Sequence, residues 1–295
     1  MGRDRILAAP ALGRTRVADA ADTLTRTTTG VRGLDALLDG GFPAHRAIVV
    51  CGREGTGKTT LGLQFLLDGL HVGEPGAFVS ADEKPRHLVE DAATLGYDLT
   101  EVTGRGVLVL LDASPYFTAL RAAGAASAAE DTAQRRLRKL TGHLVYSGVD
   151  AREVASDLAA QVRRIGARRL VVDSITSLVP PDLDRARTHD YLRSIVQSLE
   201  DNLGCTTLLT CRSTRADSHP ACEAARYLAS GILELRLRRS GPELTRTLCL
   251  RKMRGTAIEP AEYPIAFERG GLALQDTDSV PAAMPQLAVG NLAGR

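Results

Sequence analysis

The sequence predicts an α/β fold in which a mostly parallel sheet is covered by helices on both faces and carries an antiparallel β extension at its C-terminal end. Three observations predict it. The run Gly52-Arg53-Glu54-Gly55-Thr56-Gly57-Lys58-Thr59 fits the pattern G-x-x-x-x-G-K-[ST] and lies between a strand-like and a helix-like stretch. Apolar runs and amphipathic stretches then alternate as far as Thr210, as parallel strands joined by crossover helices do. Beyond Ser230 the apolar period drops to two over two runs joined by a turn, the pattern of an antiparallel hairpin.

In chain order, residues 1–23 are rich in Ala, Arg and Thr without periodicity and are expected to form a flexible tail. From Thr29 to Pro43 the glycines and the proline mark turns. Ala47-Ile48-Val49-Val50-Cys51 is a buried strand that leads into the glycine run. Thr60 to Leu70 places Leu61, Leu63, Phe65, Leu66 and Leu70 as a helix packed on a sheet would. Gly76 to Ala81 is a second strand, ending at Asp82-Glu83, and Pro85 opens a helix through Leu95, because proline is tolerated at the first helical position. Val107 to Leu111 is a third strand. Residues 114–148 form an Ala-rich insertion whose Arg135-Arg136-Leu137-Arg138-Lys139 reads as a solvated helix face or flexible segment. Asp150 is expected to cap a helix with Val154, Leu158, Val162 and Ile165 on one stripe. Arg168 to Asp173 is a buried strand ending in a carboxylate. It is followed by a helix bearing Leu192, Ile195, Val196, Leu199 and Leu203, and by a strand from Thr206 to Thr210. The hairpin pairs Ile232–Arg238 with Leu244–Arg251 around a turn at Ser240-Gly241-Pro242-Glu243, and a last strand surrounds Tyr263 to Phe267. One domain, 24–275, is expected, with a second flexible tail at 276–295.

Composition narrows the class. With 44% hydrophobic residues and a net charge of +2, the chain is globular and needs no polyanionic partner. Its five cysteines, Cys51, Cys205, Cys211, Cys222 and Cys249, are odd in number and lack C-x-x-C spacing, which argues against a disulfide framework or a zinc site and for a reducing cytoplasm. The spacing of His219 and Cys222 reads as loop chemistry rather than a metal site. No apolar run approaches the ~18 residues of a membrane span. Lysine is scarce, occurring only as Lys58, Lys84, Lys139 and Lys252. An ammonium is a compact point charge suited to a single phosphate oxygen in a tight pocket, which marks Lys58 and Lys252.

The glycine run needs its glycines so that backbone N–H groups can approach phosphate oxygens without a Cβ in the way. Lys58 would reach the β- and γ-phosphates and the Thr59 hydroxyl would ligate Mg²⁺. Asp173, at the end of an apolar strand, suits the metal-organising carboxylate. Asp82 and Glu83 end a neighbouring strand at the edge where open α/β sheets bind ligands, and are candidates for the general base and its partner.

Taken together, Thr-Gly-Val-x-Gly-Leu-Asp from Thr29, the glycine run extended through Thr60, Asp-Glu-x-Pro from Asp82, Val-Val-Asp-Ser-Ile-Thr-Ser-Leu from Val171 and Lys-Met-Arg-Gly-Thr from Lys252 resemble the KaiC family of RecA-like ATPases. The resemblance covers roughly Leu24 to Gln275. It implies a RecA-like P-loop core that assembles into a hexameric ring, with ATP held between neighbouring subunits. Gly52, Arg53, Glu54, Gly55, Thr56, Gly57, Lys58, Thr59 and Thr60 would line the ATP, with Thr94 and Thr256 also near it, and Asp173 and Thr59 would hold Mg²⁺. Asp82 and Glu83 fall on the family's paired catalytic glutamates, with Asp82 one methylene shorter. Lys252 and Arg254 would reach the γ-phosphate of the next subunit. The implied function is a regulatory or signalling ATPase with a protein partner. The alternatives are a DNA-binding recombination protein, a nucleotide-gated scaffold and a Ser/Thr protein kinase. Arg226-Tyr227 stands where the clock protein carries its phosphorylated Ser-Thr pair, which argues against clock-type autophosphorylation.

Overall fold

The computed structural model describes residues 24–113, 145–146, 149–150, 159–179, 183–213, 219–240, 243–259 and 261–275. The two expected tails, the Arg135–Lys139 stretch and the stripe positions Val154 and Leu158 lie outside them. In chain order the first elements are β1 (Arg26–Thr27), α1 (Leu34–Leu37), β2 (Phe42–Pro43), β3 (Ala47–Gly52), α2 (Lys58–His71) and β4 (Gly76–Ser80). Next come α3 (Pro85–Thr94), α4 (Leu99–Gly104), β5 (Leu108–Asp112), β6 (Val145–Tyr146), β7 (Val149–Asp150) and β8 (Arg169–Asp173). The last are α5 (Arg185–Leu203), β9 (Thr206–Arg212), α6 (Pro220–Leu228), β10 (Gly231–Ser240), β11 (Glu243–Met253), β12 (Glu262–Glu268) and β13 (Gly271–Leu274).

Nine strands form one sheet in the order β13-β12-β11-β10-β3-β9-β8-β4-β5. From β10 through β5 every neighbouring pair is parallel, and from β10 through β13 every pair is antiparallel. The expected class is therefore the observed one. Its physical cause is visible on β3, whose side chains alternate between two cores. Ala47, Val49 and Cys51 join Leu192, Val196 and Leu199 of α5 and Cys222 and Ala225 of α6. Ile48 and Val50 join Leu61, Phe65 and Leu66 of α2 with Leu88 and Leu99. A strand covered on both faces has no polar face to show, which is why it reads as a continuous apolar run.

Local expectations fare differently. Asp150 lies in β7, paired with Val145; residues 151–158, which would form the first turns of the helix it is expected to cap, lie outside the described residues, and 159–164 are helical. The helix α4, capped by the Asp98 carboxylate accepting from Thr100 N at 2.9 Å, is too short to leave a period in the sequence. Cys211 and Cys222 form a disulfide, against the expectation from cysteine number and spacing. Counting could not foresee it, because β9 and α6 bring the two sulfurs together across a core.

Candidate functional site

The site is built at the C-terminal ends of the parallel strands, where β3 breaks into the glycine loop and the chain re-enters order as α2. Gly57 just before the helix has φ 103°, which a residue with a Cβ adopts only under strain. Gly52 is needed for closeness instead, since a Cβ there would lie 2.6 Å from Thr56 Oγ1 and 2.7 Å from Leu235 O. The loop is closed on itself by Thr56 Oγ1, which donates to Arg53 O at 2.8 Å, and Lys58 Nζ reaches back to the same carbonyl at 2.9 Å. Burial holds the Lys58 ammonium below its ordinary range, with Asp173 and Glu54 pulling the other way. Glu54 and Arg212 form an exposed ion pair at 2.9 Å, of the kind that contributes little in water.

Asp173 ends β8 beside the loop. Its Oδ2 accepts from Thr59 Oγ1 at 2.6 Å, and its Oδ1 accepts from the hydroxyl of Thr210 on β9. A hydroxyl and a carboxylate oxygen this close are hard oxygen donors of the kind Mg²⁺ takes, so the residues fit that ion.

The segment after β4 is stapled onto the same edge by Ala81 N donating to Asp173 O at 2.8 Å. Here the two adjacent carboxylates diverge. Asp82 accepts from Ser174 Oγ at 2.9 Å through one oxygen and from the Ser177 hydroxyl through the other. The Glu83 backbone is clamped to Ser80, with Ser80 Oγ donating to Glu83 O at 2.5 Å and Glu83 N donating back at 3.2 Å. Its carboxylate accepts no hydrogen bond from the described residues. Burial first, then the negative charges of Asp91 and Asp173, push the Glu83 carboxyl above the usual range, against a smaller opposing pull from His87.

The phosphate-loop residues, Asp173, Asp82 and Glu83 thus come together, but four of the expected residues do not join them. Thr94 closes α3 and its Oγ1 donates to Asp91 O at 2.7 Å within its own helix. Lys252, Arg254 and Thr256 lie toward the opposite end of the strands. Gly231 pairs with both Ile48 and Met253, whereas Gly52 pairs with Leu235, so about 13 Å of strand separates the two ends. Lys252 Nζ donates to Ala229 O at 2.6 Å and to Tyr227 O at 3.4 Å, closing the end of α6. Burial and the neighbouring Arg254 hold its ammonium below the ordinary range. Arg254 is exposed and forms no ion pair with a described residue. Thr256 Oγ1 accepts from Arg26 Nη1 at 2.6 Å.

Three contributors had no role in the sequence reading: Ser174 and Ser177, quoted there only as part of the motif from Val171, which hold Asp82, and Arg246, whose Nε donates to Gly55 O at 3.4 Å while its guanidinium stacks 4.7 Å over Phe267. The signal for Arg246 lies in the alternation itself, because it interrupts the apolar phase that Leu244, Leu248 and Leu250 set along β11.

Comparison with known proteins agrees with this fold. Residues 27–279 match the family described as "ATPase: KaiC". The chain belongs to the KaiC family of ATPases. A protein named UPF0273 from Pyrococcus horikoshii is 31% identical over 250 residues, spanning 84% of this chain and 92% of that one. The circadian clock oscillator protein KaiC of Synechococcus elongatus is 28% identical over 255 residues, 84% of this chain but 44% of its own length. The crystal structure of a KaiC-like protein from Pyrococcus horikoshii superposes with a TM-score of 0.68 at 26% identity, covering 86% of this chain and all of that one. The family assignment supports ATP binding on a KaiC-like, RecA-type fold. No described helix is long and apolar enough to cross a membrane.

Proposed function

We propose that this chain is a Mg²⁺-dependent ATPase of KaiC type that works as a ring, hexameric by analogy with the family resemblance, and signals its nucleotide state to a partner protein in the cytoplasm. The observation that carries the reading is the divergence of the two carboxylates beside the glycine loop: Asp82 has both oxygens occupied, while Glu83 is partly buried and its proton-attracting carboxylate accepts no hydrogen bond from the described residues. The loop amides and the start of α2 receive the phosphates, and Lys58 gives up the Arg53 carbonyl for a phosphate oxygen. Mg²⁺, when bound, supplies charge neutralisation at the β- and γ-phosphates, and Thr59 and Asp173 are the residues that would hold it. Glu83 accepts a proton from the water that attacks the γ-phosphorus, and Asp82, fixed by its serines, orients the turn that presents Glu83. Lys252 and Arg254 serve a neighbour's site, because their own phosphate loop lies at the other end of the strands.

Glu83→Gln tests this reading. The amide keeps the shape without the proton-accepting charge, so ATP affinity should stay unchanged while phosphate release falls by about 10² to 10⁴. Full hydrolysis in Glu83→Gln would remove this residue from the mechanism, and tight binding with no turnover in the wild type would make the chain a nucleotide-gated scaffold.

A further inference from the structure

Three of the five cysteines meet at one point beneath the glycine loop. Cys51 is the residue before Gly52, Cys211 is its register partner on β9, and Cys222 lies in the first turn of α6. All three are fully buried. Cys211 and Cys222 are bridged, with Cα atoms 5.7 Å apart, and Cys51 Sγ stands 3.2 Å from Cys211 Sγ and 3.8 Å from Cys222 Sγ. Cys205 is elsewhere, donating to Ala167 O at 3.1 Å. A bridge with a third sulfur against it is the arrangement that thiol–disulfide exchange requires. A soft metal ion is the competing occupant, but three thiolates would carry more negative charge than a monovalent or divalent ion neutralises, in a core where uncompensated charge is costly.

We propose that Cys51, Cys211 and Cys222 form a redox-modification site that takes a peroxide as oxidant and a dithiol as reductant, and whose bridge has two positions. In the oxidation, the Cys211 sulfur attacks one peroxide oxygen, the O–O bond breaks, and the other oxygen leaves as water with the thiol proton. The Cys222 sulfur then displaces the hydroxyl of the resulting sulfenic acid, which leaves as a second water with the Cys222 proton. Two thiols and one peroxide become one bridge and two waters. In the exchange, the Cys51 sulfur bonds to Cys211, the Cys211–Cys222 bond breaks, and the proton of Cys51 passes to Cys222. A dithiol reverses either bridge by forming its own disulfide. Burial pushes the Cys51 thiol up to about 12, so it rests protonated and exchange waits for the cluster to open.

The bridge position selects which element is tied to β9: α6, whose final carbonyl region holds Lys252, or β3, which carries the glycine loop. This coupling, though not the thiol chemistry, rests on the ATPase reading. The test uses the folded full-length chain, reduced with dithiothreitol, freed of reductant, exposed to hydrogen peroxide, alkylated and mapped by mass spectrometry, with native mass and ATP turnover measured in parallel. The wild type should form Cys211–Cys222 reversibly, Cys51→Ser should keep that bridge, and Cys222→Ser should move it to Cys51–Cys211. Bridged and reduced wild type should differ in turnover by about tenfold, the scale on which small displacements of reacting groups act. Three unbridged thiols after peroxide, a folded Cys222→Ser chain without the Cys51–Cys211 bridge, or a stoichiometric metal in the native mass would overturn the site. Equal turnover of the two states in a preparation that hydrolyses ATP would overturn the coupling. The mapping needs no hydrolysis, so loss of the ATPase reading would leave the thiol result standing.

Discussion

Two adjacent carboxylates with nearly the same chemistry are driven apart by what surrounds them. Asp82 is saturated by Ser174 and Ser177, and Glu83 is left with a desolvated charge facing the charges of Asp91 and Asp173. A base with a raised pKa is protonated, and idle, until the pH climbs past that value. The acid limb of kcat/KM should therefore lie above the ordinary carboxylate range. Lys58 is shifted the other way, so its loss of charge should bring the alkaline limb below the ordinary lysine range. A pH series on wild type and Glu83→Gln checks both, since only the acid limb should vanish in the variant. Lys58→Ala should lose ATP binding altogether in equilibrium dialysis, because no other ammonium lies in the loop. The sequence displays the Asp-Glu pair plainly but cannot rank its members. The ranking depends on serines more than 90 positions away in the chain, joined to Asp82 only by the fold.

At the scale of elements, β8 shows how a strand of this sheet is anchored. Arg169 at its start is 1% exposed, yet it bonds Asp68 at 2.9 Å, Glu74 at 2.7 Å, Phe65 O at 2.7 Å and Thr28 O at 2.9 Å, and lies over the Phe65 ring. It fastens β8 to α2 and to the segment before α1. Arg169→Ala leaves two partly buried carboxylates and two carbonyls without their donor and should destabilise the fold by about 3 kcal/mol or more, read from urea or thermal unfolding. An arginine at the head of an apolar run looks like a boundary residue in the sequence, and nothing local shows that its partners come from α2 and beyond. The strands themselves were legible because burial on both faces leaves apolar runs, and α2 because its buried residues recur as a helix requires. The two-residue strands β1 and β2 and the four-residue β13 were not, since they are shorter than any period that could announce them.

In the whole molecule, the two halves of the proposed site stand at opposite ends of the strands of one sheet, so on that proposal a complete site takes a neighbour stacked head to tail. Arg254→Ala and Glu83→Gln chains should each be nearly inactive alone. Mixed, they should regain partial turnover, because a minority of interfaces unite an intact base from one parent with an intact cation from the other. Co-assembly shown by native mass without recovery would refute the shared site. One feature of the sheet also bears on how the protein is made. β3 is central, and its partners β9 and β10 are encoded more than 150 residues after it. Gly57 is backed by Phe267 and Leu272, and Leu272 is joined to Gln64 at 2.9 Å, so the support of the phosphate loop is synthesised last. A ribosome-bound chain that has emerged only as far as α5 therefore carries an apolar strand with both backbone edges unpaired, open to the wrong partner. Nascent chains of this protein should depend on protection from chaperones until the closing hairpin has left the tunnel, and should acquire nucleotide only after that moment.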